Sequence, residues 1–224
     1  MEATKKTKSK SAASPAGDKI KKAYREYLLT EGKQPASIFK FCKDIGISED
    51  EFYKHFASFE VLEKGIWKEY IDKTRKRLES DESYTSFSSR EKILTFYFAL
   101  AEILKSDRSF VLYQLKSWKS PSPTPSFLKG FKTSFEDWIT GVLNEGKNSG
   151  EVAKRPFIDQ RYHGLFWLHL MFILQFWSKD ESSNFDNTDA AIEKSVNLAF
   201  DLIGKGVLDN ALDFGKFLYQ NAKN

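Results

Sequence analysis

Two short apolar runs at helical spacing, separated by Ile45-Gly46-Ile47-Ser48, constrain this chain more than any other stretch. Ile38, Phe41 and Ile45 recur at steps of three and four, the pattern of a short helix with one buried side. Ser37 precedes the run and offers a side-chain oxygen to the unpaired N–H groups of a first turn. Gly46 permits a tight left-handed turn. Ser48 then caps the next helix, and Glu51, three residues on, completes the Ser-x-x-Glu pattern of a capping box. Upstream, Ile20, Ala23, Tyr24, Tyr27 and Leu28 form the stripe of an amphipathic helix that Gly32 ends. The spacing predicts a helix-turn-helix with a supporting helix in front of it.

The stretch resembles the DNA-binding module of the tetracycline-repressor (TetR) family. The likeness lies in Gly32, Ser37-Ile38, Gly46-Ile47-Ser48, Tyr53-Lys54-His55-Phe56 and Ser58-x-Glu60-x-Leu62. It implies that the helix after Ser48 enters the major groove of double-stranded DNA. The implied interface is Ser37, Ser48, Glu49, Tyr53, Lys54 and His55, the last three on phosphates. Two departures stand out. Glu49, Asp50 and Glu51 fill the turn that would face the bases, and Phe59 stands where the family usually has lysine. Binding to DNA depends on cations that neutralise phosphates, so three adjacent carboxylates oppose it. A glutamate can accept from cytosine N4, but three acids are hard to place that way. Capping and the helix dipole give Glu51 a local reason to be there. From Asp18 to Tyr70, ten basic and ten acidic side chains cancel, where a DNA-binding face is expected to be basic.

At 224 residues and 41% hydrophobic, the chain is long enough to bury a sizeable core. The net charge of +4 comes mainly from Lys5, Lys6, Lys8 and Lys10, which leaves the folded body near neutral. Residues 1–17 lack the apolar core of a signal peptide and read as a disordered basic tail, so a cytoplasmic location is expected. Cys42 is the only cysteine, which excludes an intramolecular disulfide and suits a small buried apolar role.

Beyond Leu62 helix follows helix without alternating strand patterns, and an all-α fold of about nine helices is predicted. Residues 18–66 would form the helix-turn-helix domain and residues 67–224 a larger helical domain for ligand binding and dimerisation. Leu62, Ile66, Tyr70, Thr74 and Leu78, at steps of four, predict a helix linking the two. Ser88-x-x-Glu91 is a second capping box before Ile93–Leu104, a central helix apolar around most of its circumference. A short helix over Ser109–Trp118 precedes Pro121, Pro123 and Pro125, which force a loop. Phe127, Phe131, Phe135, Trp138, Val142 and Leu143 make a further stripe, with Gly146 and Gly150 marking its end.

Tyr162–Trp177 is the most apolar segment, yet it falls short of a membrane span and contains His163, His169 and Gln175. A helix this apolar needs a second covering surface, which a two-fold partner supplies. The family resemblance implies that it pairs with a long helix from Ala190 to about Tyr219 in a four-helix homodimer interface. That second helix would carry Ile192, Val196, Phe200, Ile203, Val207, Ala211, Phe214 and Leu218. A pocket for a small apolar ligand is expected among Tyr97, Tyr113, Trp118, Trp138, Trp167 and His169, because such pockets are lined by aromatics with a few polar groups. Core packing is the competing role for each. No metal is expected, since His163 and His169, six apart, point to different sides of a helix. No cofactor fingerprint, hydrolase elbow or zinc-protease motif occurs, and an enzyme is not expected.

Two functions fit these features. One is a dimeric regulator that binds operator DNA and is modulated by an apolar ligand. The other is a protein of the same fold that has given up DNA and binds a lipid or isoprenoid.

Overall fold

The computed structural model describes residues 15–117, 124–155, 158–204, 206, 214–215 and 217–221. Among these residues there are nine α-helices joined by turns and short 3-10 segments, without strands. They are α1 (Pro15–Glu31), α2 (Ile38–Ile45), α3 (Glu49–His55), α4 (Phe59–Glu79), α5 (Ser89–Ser106), α6 (Arg108–Ser117), α7 (Lys129–Ser149), α8 (Tyr162–Lys179) and α9 (Asp186–Ile203). Residues 214–215 and 217–221 are helical again. The all-α architecture expected from the sequence is therefore the observed one.

Helix α1 starts at Pro15, where the fixed φ of proline suits a first helical residue, so residues 15–17 belong to the helix and not to the tail. Ile20, Tyr24 and Leu28 are buried and meet Phe41, Phe52 and Phe59 in an aromatic core. Tyr24 stacks on Phe59 at 5.2 Å, and Phe41 sets its edge against both. Geometry of this kind adds about 0.5–1.5 kcal/mol per pair to the area buried. Phe59 is thus a core residue, which explains its departure from lysine. Cys42 is buried beside Phe41.

Helix α4 buries Phe59, Leu62, Ile66, Trp67, Tyr70, Ile71, Thr74 and Leu78 and runs unbroken past residue 66 into the larger domain. There it packs on α5 and α7. The predicted capping box at Ser88 is complete: Ser88 Oγ accepts from the Glu91 N–H, and the Glu91 carboxylate accepts from the Ser88 N–H. The stripe of α7 is buried as expected at Phe131, Phe135, Val142 and Leu143.

Three expectations change. Gly146 does not end α7, which continues to Ser149 with Gly150 as its left-handed cap. Gly146 instead allows close approach: a Cβ there would lie 2.7 Å from Val152 Cγ2 and 2.8 Å from Ser89 Oγ. The second expectation concerns Glu51, whose carboxylate turns toward Lys54 and His55, so only the Ser48 half of that capping box forms. Finally, the long last helix stops at Ile203, because Gly204 leaves helical geometry and Arg155 donates to the carbonyls of Leu202, Ile203 and Gly204. Of the expected stripe, Ile192, Val196, Phe200 and Ile203 are buried, Phe214 and Leu218 are exposed, and Val207 and Ala211 lie outside the described residues.

Gly146→Ala should lower stability by about 1–3 kcal/mol through overpacking, whereas Gly141→Ala, whose added methyl meets nothing within 4 Å, should not. Thermal unfolding of the two variants by circular dichroism checks this, and equal melting temperatures would refute the packing role.

Candidate functional site

The helix-turn-helix is held by three serine caps. Ser37 Oγ accepts from the Lys40 N–H at 3.1 Å, Ser48 Oγ from Glu51 at 3.1 Å, and Ser58 Oγ from Val61 at 3.2 Å. Gly46, with φ 70 and ψ 41, adopts the left-handed turn that redirects the chain, and the Ile47 N–H returns to the Cys42 carbonyl. Phe52 anchors α3 in the core and so turns Tyr53 and Lys54 outward.

The proposed DNA-facing residues fall into two groups. Ser37 and Ser48 commit their hydroxyls to their own helices, and Glu49 is half-buried at the start of α3. Tyr53 is exposed. Lys54 is exposed too, but its Nζ lies 2.7 Å from Asp50 and 3.5 Å from Glu51. The hydrogen bond and charge of Asp50, with Glu51 adding to them, hold the Lys54 ammonium above its usual pKa. His55 is half-buried, 3.3 Å from Glu51. The acids of α3 therefore neutralise its own cation.

Free positive charge lies one helix earlier. Lys40 and Lys43 on α2 are exposed, and no carboxylate lies within ion-pair distance of them among the described residues. Their i,i+3 spacing on a helix is the signal in the sequence that places both on one face. In helix-turn-helix proteins the first helix of the pair crosses the phosphate backbone.

The larger domain contains an aromatic cluster centred on Phe135, which neighbours Tyr97, Trp138 and Trp167. Trp138 stacks on Phe96 at 4.1 Å and donates to Tyr84 Oη; Trp167 donates to Thr124 Oγ1. His169 joins the cluster through the Tyr97 hydroxyl at 3.3 Å and lies 2.8 Å from Ser195 Oγ. Because Ser195 Oγ donates to the Ala191 carbonyl, His169 Nε2 must donate to Ser195, which leaves Nδ1 to accept from Tyr97. The neutral imidazole thus ties α5, α8 and α9 together, and its burial pushes the pKa down to about 4. Four of the six residues expected at a pocket are brought together around Phe135, with Tyr97 and His169 in direct contact. Tyr113 is elsewhere, and Trp118 lies outside the described residues.

Tyr113 belongs to the junction between the domains. Its hydroxyl donates to the Gly32 carbonyl at the end of α1. One turn of α6 also presents buried Gln114, whose Nε2 donates to Glu63 Oε1 at 3.1 Å. The same carboxylate oxygen accepts from Tyr24 of α1 at 2.8 Å. Nearby, Asp107 accepts from Tyr70 and lies 3.6 Å from Arg25. Thus α6 grips both α1 and α4 through polar groups of fixed direction.

On the outer side, α8 and α9 expose Leu165, Leu168, Phe172, Phe176, Leu198 and Leu202. Six large apolar side chains exposed on two adjacent helices make an unusually apolar surface for a monomer. No helix among the described residues is long and apolar enough to cross a membrane.

This arrangement defines an all-helical protein in which a helix-turn-helix leads into a larger helical C-terminal part. Residues 92–218, more than half of the chain, match the tetracycline-repressor-like C-terminal domain, and the chain belongs to the TetR family. Similar folds occur in a protein from Syntrophomonas wolfei assigned to the TetR-family transcriptional regulators, at 14% identity over 86% of this chain and 97% of that one, with a TM-score of 0.68. The fatty acid degradation regulator FadR from Bacillus halodurans is 17% identical over 80% and 96% of the two chains, with a TM-score of 0.56. FadR from Bacillus subtilis, solved in complex with stearoyl-CoA, is 16% identical over 79% and 95%, with a TM-score of 0.54. At these identities the likeness is one of fold. No curated protein matches in sequence.

The depressed His169 pKa fixes a pH dependence. An unfolded imidazole titrates near 6.5, so between about pH 6.5 and 4 the unfolded chain binds a proton that the folded chain does not. Its contribution is complete above that window and is lost as pH falls through it, by about 3 kcal/mol in total. His169→Gln should flatten this part of the profile in urea unfolding at pH 7 and pH 4.5; an unchanged slope would remove His169 as the source.

Proposed function

We propose that the protein is a homodimeric one-component transcriptional regulator that binds operator DNA through α2 and α3 and responds to a small apolar ligand in the C-terminal domain. The observation that carries this reading is the polar grip of α6 on the helix-turn-helix: Gln114 and Tyr24 share Glu63, and Tyr113 holds Gly32. A shift of α6 changes the seating of α1 directly, and α4 transmits it to α3. A ligand acts by favouring one of the two seatings, and its effect is bounded by its differential affinity for them.

The DNA-facing surface combines Tyr53 of α3 with Lys40 and Lys43 of α2. Fluorescence anisotropy with DNA from upstream of the protein's own gene, against a scrambled duplex at two salt concentrations, tests the function. Selective binding that weakens with salt supports it, and equal or absent binding rejects it. The charge pattern predicts opposite signs for two variants. Lys40→Ala with Lys43→Ala should weaken binding several-fold and lower the salt slope by about two, whereas Asp50→Asn with Glu51→Gln, by releasing Lys54, should strengthen it at low salt.

The exposed faces of α8 and α9 form the proposed dimer interface, where each copy covers the other's Leu165 and Leu198. Leu165→Arg with Leu198→Arg should convert dimer to monomer in light scattering after gel filtration; an unaffected dimer would place the interface elsewhere.

One observation favours a second reading, in which the fold binds a lipid or isoprenoid without DNA. The only lysine of α3 is already paired with two carboxylates of the same helix. Absence of DNA binding in the anisotropy experiment would select it.

A further inference from the structure

A cleft of about 740 Å³ lies between α6 and α8, within the range of roughly 300–1,000 Å³ usual for small-molecule sites. Leu112 and Leu115 of α6 face Leu168, Met171, Phe172 and Leu174 of α8 across it. The remaining lining is Gln175, Ser178, Lys116 and Lys179, so among the described residues no carboxylate lines the cleft. Most lysines of α4 sit in ion pairs along the helix, as at Lys64–Glu60, Lys68–Asp72 and Lys73–Glu69. No such carboxylate partner lies within reach of Lys116 or Lys179 among the described residues.

The geometry also sets the cleft's direction. Arg108, at the start of α6, donates to the carbonyls of Trp177 and Asp180 at the end of α8. Lys179 is therefore next to that tie, while Lys116 stands about 12 Å further along α6 by helical rise. Each lysine lies in the last turn of its helix, where it offsets the negative end of the dipole. A ligand thus meets an elongated apolar floor with a positive charge toward either end. The interior, by contrast, is filled by the Phe135 cluster.

We propose that this cleft holds one elongated amphiphile, an apolar chain ending in a carboxylate or phosphate, with the chain on Leu112, Leu115, Met171 and Phe172 and the anionic head on Lys116 or Lys179. The site is at the flank of the helical body, beside the proposed two-fold face, and not among the aromatics of its interior. The inference deepens the reading of the C-terminal domain as ligand-responsive and rests on it. The same α6 that lines the cleft with Leu112 and Leu115 holds the helix-turn-helix with Tyr113 and Gln114, so occupancy acts on the element that seats α1.

The test is calorimetric titration of the full chain, without DNA, against laurate, dodecyl phosphate, dodecanol and dodecyltrimethylammonium, each below its micellar concentration. The proposal expects one laurate or dodecyl phosphate per chain, bound at least tenfold more tightly than the alcohol or the cation. Which anion binds better distinguishes a fatty acid from a phosphate-headed lipid. Lys116→Glu with Lys179→Glu, both on the surface, should lower that affinity at least tenfold with an unchanged circular dichroism spectrum, and the single variants identify the end that holds the head. Leu112→Trp, which fills the cleft, should abolish binding of chain and head alike.

Binding of dodecanol as tight as that of laurate would overturn the proposal. So would indifference to the lysine substitutions, attachment only to phosphatidylglycerol vesicles, or no binding to any probe. A chain that binds its operator but no amphiphile would keep the regulatory reading and lose this one. Amphiphile binding without DNA binding would do the reverse.

Discussion

One helix runs through the hydrophobic core from the helix-turn-helix into the larger helical body, and the rest of the structure depends on it. The first turns of α4 place Phe59, Leu62 and Ile66 against the aromatic core of the helix-turn-helix; its later turns place Trp67, Tyr70, Ile71 and Leu78 in the larger domain. Trp67 stacks on Phe127 at 5.4 Å and meets Phe131 edge-on, which fixes the middle of α4 to α7 and to the 3-10 turn before it. A helix packed on both halves does not bend at low cost, because interiors are close-packed and transmit strain.

Helix α6 adds a second and different coupling. The α4 contacts are largely apolar and weakly directional, whereas Tyr113, Gln114 and Asp107 make contacts whose worth depends on angle and distance. Glu63 is the point at which the two couplings meet, since it sits on α4 and receives hydrogen bonds from α1 and α6. Burial first, then the neighbouring Glu63 charge, raises the pKa of the Tyr24 hydroxyl and keeps it a donor throughout the physiological range. The junction is thus an apolar rod braced by a polar clamp, and the clamp is the part that a small displacement can break.

The electrostatics of the helix-turn-helix follow from local helix chemistry more than from any demand of a polyanion. Acids at positions 49 to 51 suit the positive end of α3, and Lys54 suits its negative end. Four residues apart, Asp50 and Lys54 then pair. The cost falls on any interaction with phosphate, which has to compete with a carboxylate already in place. Lys40 and Lys43 have no acid three or four residues before them, and Asp44, four residues after Lys40, is not within ion-pair distance of it.

The sequence by itself determined the elements and much of their burial. Apolar spacing located α1 to α8, serine caps located the starts of α2, α3 and α5, and Gly32, Gly46 and Gly150 marked helix ends, because these signals act within one or two turns of chain. It left open what depends on groups far apart. Arg155, 47 to 49 residues before the carbonyls it binds, ends α9 where the hydrophobic stripe alone would have continued. Gly146 reads as punctuation in the sequence, yet Ser89 and Val152 pack against it in the fold. Among the expected pocket residues, Tyr113 is separated from His169 and Tyr97 because α6 turns it toward Gly32, and a residue's spacing does not reveal which neighbour its helix faces. The cleft between α6 and α8 exists only where two helices distant in sequence come side by side, so tertiary packing alone decided it.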